Sequence, residues 1–253
     1  DRHGVLMESG PERAGRERAE RFRLDHQLGI APIDDMAAIL DEAGLDVVVM
    51  DVPSGSAEAG LTMHDPETGQ TVIAIATMAW SGRQRFTMAH ELCHHLKGEH
   101  LSVHAVQGHR TPGELEADSF ARHLLVPLAA AQAARVQFPT SVESQLNDLV
   151  RRFDVSPSVA RLQLANTGTP PAALESTAGI TAKRLAASHG WLGLWRQRST
   201  LALQPQAPRR LLTRLAVAHR DGFVPLAELA DWSNTSRDEF RAVLAETEVE
   251  SPE

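Results

Sequence analysis

The chain has 253 residues, 42% of them hydrophobic, and a formal net charge of −8, which is enough apolar content for one sizeable core and a smaller second unit. Its single cysteine excludes an intramolecular disulfide, and no apolar run approaches the roughly 18–20 residues that a bilayer-spanning helix needs. The polar opening Asp1-Arg2-His3-Gly4 has no signal-peptide core, so a cytoplasmic location without a membrane partner is expected.

In chain order, residues 11–27 carry Arg and Glu at helical spacings, and Asp34-Asp35 ahead of Met36 to Ala43 and Gly44 reads as a capped short helix. The period then changes. Asp46 to Val52 and Gln70 to Thr77 are β-branched runs, with a turn at Pro66-Glu67-Thr68-Gly69 before the second. A short sheet therefore precedes the next helix, expected over residues 84–97 with Gly98 as its stop, and the chain reads as α+β.

That helix contains His90-Glu91-Leu92-Cys93-His94. Residues four apart on a helix lie about 40° apart around its axis, so both imidazoles can reach one zinc with Glu91 beside them. A chain of this composition matches the pattern by chance about 0.04 times. This is the constellation of a metallopeptidase. Cys93 reads as a small buried packing residue.

A zinc site in a hydrolase needs a third protein ligand and an open position for water. The next helix begins near Glu114, and stepping about 100° per residue places Ala117, Phe120, Ala121, Leu124 and Leu125 on one apolar face. Glu114 and Asp118 border that face, while Glu116 and His123 are expected on the solvent side. Glu114 is the expected ligand; the competing reading is a carboxylate favoured by the helix N-terminus. Asp118 is placed to orient His90 or His94 through the ring nitrogen that does not face the metal, or else pairs with Arg122 or Lys97.

Farther on, Ser141 to Arg152 and Pro157 to Ala165, separated by a turn at Asp154-Val155-Ser156, read as helix, turn, helix. Three basic and three acidic residues give this unit no net charge, which favours packing on the catalytic domain over DNA binding. Asn166 to Pro171 reads as a linker. From Ser176 to Arg220 there are eight basic residues and no acid, so the rest of the chain carries −8 − 8 = −16. Within it, Lys183, Arg184, Trp191, Trp195, Arg196 and Arg198 are candidates for binding nucleic acid or an acidic partner. The competing reading docks this stretch on the acidic catalytic domain. A small helical unit and the acidic tail Glu246 to Glu253 follow. The expected organisation is a catalytic domain with its N-terminal helix over 1–137, a helix-turn-helix-like segment over 138–169, and a basic linker with a small helical domain over 170–253.

The run Arg85-Phe86-Thr87-x-Ala89-His90-Glu91-x-x-His94, then Glu114-x-x-Ala117-Asp118-x-Phe120-Ala121-x-x-Leu124-Leu125-x-Pro127, resembles the ImmA/IrrE family of zinc metallopeptidases over about residues 30–165. The resemblance implies a small zincin-like, gluzincin-type catalytic domain with one zinc per chain. It makes His90, His94 and Glu114 the ligands and Glu91 the catalytic glutamate, with a helix-turn-helix repressor or similar regulator in a stress or mobile-element response as substrate. Glu91 is then expected to take the proton of a zinc-activated water and pass it to the leaving amine. The chain has no Tyr to stabilise the oxyanion, which leaves His100, His104 and His109 as candidates. Cys93 stands where the family usually has Gly, and the strand before the helix lacks the Asn often found there; neither departure removes a catalytic group. From a different class, a non-catalytic zincin-fold regulator could bind a partner or nucleic acid through the basic C-terminal region.

Overall fold

The computed structural model describes residues 10–52, 60–99 and 111–242. The β-branched runs form β1 (Leu45–Met50) and β3 (Thr71–Ala76), which pair in parallel with Val47 opposite Ile73. Between them in sequence lies β2 (Gly60–His64), antiparallel to β3 with Thr62 opposite Ile73, so the order is β1-β3-β2 and β2 is an edge strand. No sequence signal marks β2, whose five residues lack a clear alternation.

Helices surround this sheet. α1 (Gly10–Asp25) and α2 (Met36–Glu42) precede it, and Asp35 caps α2 by accepting from Ala38 N at 3.1 Å. α3 (Ser81–Leu96) packs on β2 and β3, and α4 (Pro112–Leu125) packs on α3. Their inward faces meet the sheet in one apolar cluster containing Leu92, Cys93, Phe120 and Leu124 with Ile73 and Ile75, all fully buried. Each large side chain there contributes about 1.5–3 kcal/mol of transfer free energy.

Glu116 and His123 do not face solvent on α4, contrary to the helical-wheel expectation. α1 covers that side: Gly15, Ala19 and Phe22 pack down on it, Arg18 pairs with Glu116 at 3.1 Å, and Ser119 Oγ donates to Glu12 O at 2.7 Å. His123 is 2% exposed, between Glu12 and Gln163. A wheel drawn on one helix finds its most apolar stripe but cannot reveal a second helix lying on the polar side. The buried Arg23 guanidinium joins the same layer by donating to the backbone carbonyls of Leu28, Gly29, Ala31 and Leu124.

The chain continues through α5 (Leu128–Gln137), α6 (Val142–Phe153) and α7 (Pro157–Asn166). Asp154 turns the backbone at φ 50°, and Ser156 caps α7 by accepting from Val159 N at 2.9 Å. Leu146, Leu149, Phe153 and Leu164 lie in the same core as the sheet. Short helices α8 (Pro171–Glu175), α9 (Ala182–Ser188) and α10 (Leu192–Ala202) follow, then α11 (Arg209–Arg220) and α12 (Leu226–Trp232). Leu185, Ala186 and Trp191 extend the core, and Gln206 exchanges two backbone hydrogen bonds with Val49 on the outer edge of β1. Among the described residues no helix is long and apolar enough to cross a membrane.

Candidate metal centre

α3 presents His90 and His94 one turn apart, as their spacing requires, toward the first turn of α4. Thr111 caps α4 by accepting from Glu114 N at 3.3 Å, with Pro112 at the first helical position, and this fixes Glu114 as the third helical residue. Three ligand atoms converge: His90 Nε2 and His94 Nε2 lie 3.1 Å apart, and the Glu114 carboxylate approaches them at 3.2 and 3.3 Å. A tetrahedral ion with bonds of about 2.0–2.1 Å separates its ligands by about 3.3–3.4 Å, so the three donors already stand near the edges of such a tetrahedron. Two imidazoles and one carboxylate are also the donor chemistry zinc accepts.

The outward nitrogens are held too. Asp118 Oδ1 lies 3.1 Å from His90 Nδ1, and Glu99 Oε2 lies 2.9 Å from His94 Nδ1. Each carboxylate favours the tautomer protonated at Nδ1, which turns the Nε2 lone pair toward the convergence point. Burial pulls the His90 imidazole toward neutrality, but its hydrogen bonds with Asp118 and Glu114 outweigh this and lift it to about 9. The two carboxylates thus favour positive charge at this position.

Glu91 lies beside His90 on the side of the edge strand, where Thr62 Oγ1 donates to its Oε2 at 2.6 Å. Sequence reasoning missed both Thr62 and Glu99. Thr62 lies on the unrecognised strand, and Glu99 follows the helix stop, where periodicity carries no information. Cys93 is fully buried behind the ligands, and burial pushes its thiol up to about 12, so it is an inert packing residue. His100, His104 and His109 lie outside the described residues.

The basic C-terminal candidates differ in exposure and in partners. Trp191 is a correction: its ring is 5% exposed and its Nε1 donates to Asn147 Oδ1 at 2.8 Å, so it packs the core and offers no face for base stacking. Lys183 lies over the half-buried Trp195 ring at 5.5 Å, and Arg198 donates to Arg151 O at 2.8 Å while facing Asp154 at 3.6 Å. Arg184 and Arg196 are exposed. Farther along, Arg209 pairs with Asp35 and Arg210 with Asp46, so two residues of the basic stretch meet acids of the N-terminal half.

Residues 40–165 match the family model of the IrrE N-terminal-like domain, Peptidase M78. Among solved structures, the chain is similar to a Mycobacterium tuberculosis transcriptional regulator at 20% identity and a TM-score of 0.43, covering 64% of this chain and 49% of that one. The chain spans about half the length of that regulator. No protein of curated function matches it.

Proposed function

Because this chain carries, at residues 40–165, an IrrE N-terminal-like domain of the Peptidase M78 family, we propose that it is a zinc-dependent endopeptidase acting in the cytoplasm on a helix-turn-helix repressor or similar regulatory protein. The observation that carries the reading is the convergence of His90 Nε2, His94 Nε2 and the Glu114 carboxylate within 3.1 to 3.3 Å, with Glu91 alongside. Zinc held by these three residues supplies Lewis acidity and lowers the pKa of a water toward neutrality. Glu91 accepts the proton of the attacking water and returns it to the departing amine, while the Thr62 hydroxyl keeps its carboxylate in place. An extended substrate segment pairs with the outer edge of β2, which no other strand covers among the described residues.

The non-catalytic alternative, a binder working through the basic C-terminal region, is less well supported. Its strongest aromatic, Trp191, is buried, and Arg198, Arg209 and Arg210 face Asp154, Asp35 and Asp46 within the chain.

Elemental analysis should find about one zinc per chain, and Glu114→Ala should lose it. Co-expression with candidate repressors should then yield truncated products with the unaltered chain and none with Glu91→Gln, which retains zinc. A chain that takes up no zinc, or a Glu91→Gln variant that cleaves equally well, overturns the reading.

A further inference from the structure

Helix α3 ends in a way that bears on one of its ligands. Gly98 adopts φ +73°, a conformation open to glycine, and the chain reverses through hydrogen bonds from Gly98 N to His95 O at 2.9 Å and Glu99 N to His94 O at 3.0 Å. The reversal carries Glu99 back over the turn it has just left, which is how its Oε2 comes to lie 2.9 Å from His94 Nδ1. The other oxygen, Oε1, meets Lys97 Nζ at 2.9 Å. Lys97 also reaches Glu116 Oε2 on α4 at 3.2 Å, and Glu116 Oε1 accepts from Nε and Nη2 of Arg18 on α1 at 3.2 and 3.1 Å.

A line of alternating charges therefore runs from His94 through Glu99, Lys97 and Glu116 to Arg18. Its middle pair is largely shielded, since the Lys97 and Glu116 side chains are each 14% exposed, and ion pairs there are less screened than at the surface. Arg18 lies before residue 40, where the match to the IrrE N-terminal-like domain begins.

We propose that Glu99 is a positioning residue that orients the His94 ring for metal, and that Lys97, Glu116 and Arg18 hold it there, so that α1 contributes to metal affinity. The inference rests on the metal site described above. His90 has Asp118 on its outer nitrogen; Glu99 does the same for His94, from a loop position that needs bracing. An imidazole hydrogen-bonded in this way keeps Nε2 unprotonated toward the metal and cannot rotate freely, and loss of such a partner typically costs 10–100-fold in affinity.

The test is zinc affinity, measured by competition with a chromophoric chelator and accompanied by circular dichroism, for the unaltered chain, Glu99→Ala, Glu99→Gln and Lys97→Met. Glu99→Ala should bind zinc about tenfold more weakly, the low end of that range, with an unchanged helical spectrum, since the Glu99 side chain is 38% exposed. Glu99→Gln should recover most of the loss because an amide oxygen still accepts from Nδ1–H. Lys97→Met, which keeps the stem and removes the charge, should weaken binding about threefold. The cobalt-substituted Glu99→Ala protein should also show a shifted visible spectrum, which reports ligand geometry directly. Equal affinity, within twofold, for the unaltered chain and Glu99→Ala overturns the proposal; should that variant fail to fold, equal affinity in Lys97→Met does so instead. An unaltered chain that binds no zinc sinks the metal site itself, and the role of Glu99 with it.

Discussion

The Thr62 hydroxyl donates to Glu91 Oε2 at 2.6 Å, which ties the edge strand of the sheet to the carboxylate that sits beside the metal ligands. Thr62→Val removes the donor and keeps the shape and strand preference of the side chain. Cleavage should fall about tenfold, a fraction of the 10²–10⁴ that a positioned acid or base contributes, while zinc content stays the same. Thr62→Ser should restore the rate. A Thr62→Val protein that cleaves at the unaltered rate removes Thr62 from the mechanism.

Asp118 stands 3.1 Å from His90 Nδ1. Asp118→Ala should lower zinc affinity about 10–100-fold without unfolding the chain, since the carboxylate fixes both tautomer and ring orientation. Equilibrium dialysis against buffered zinc reads this directly, and an unchanged dissociation constant would show that the ring needs no such partner.

Gly15 sits where α1 crosses α4 most closely. A Cβ there would lie 2.3 Å from Glu116 O and 2.8 Å from Phe120 N, both backbone atoms that cannot step aside. Gly15→Ala should therefore cost about 1–3 kcal/mol despite the better helix propensity of alanine. A urea midpoint equal to or above that of the unaltered chain is the contrary result.

Burial raises the Glu12 carboxyl, but hydrogen bonds from His123 and Arg122 outweigh it and hold the group at about 2, below its ordinary 4.5. A carboxyl depressed on folding stabilises the native state above the unfolded value, and that contribution is lost as pH falls from about 4.5 toward about 2. The unaltered chain should exceed Glu12→Gln in stability at pH 6, with the gap closing as pH falls below 4.5. Urea unfolding at several pH values measures the gap, and a difference that grows on acidification contradicts the assignment.

What could be read from the sequence divides along physical lines. His90 and His94 were legible because a helix fixes their separation by arithmetic, and Glu114 because its apolar neighbours Ala117, Phe120 and Ala121 set the phase of α4. The polar side of α4 was not legible. Whether Glu116 and His123 meet water depends on α1, about a hundred residues earlier, and no local pattern carries that information. Thr62 was hidden by a strand too short to alternate clearly, and Glu99 by a turn whose only mark is Gly98. Trp191 misled for a related reason: in a basic stretch it looks like a stacking platform, but its burial is decided by Asn147 and the core around it.

The packing of α1 on α4 also has a consequence for biosynthesis. Arg18 and Glu116 are separated by 98 residues, which at about 5–20 residues per second means a delay of about 5–20 s between the emergence of the two. Throughout that interval Ala19 and Phe22 have no α4 to pack against, and the nascent helix depends on its own Arg13–Glu17 and Arg16–Glu20 pairs to stay formed. The earliest described helix thus waits for the fourth before it is buried, and the period before α4 emerges is when chaperones have access to it.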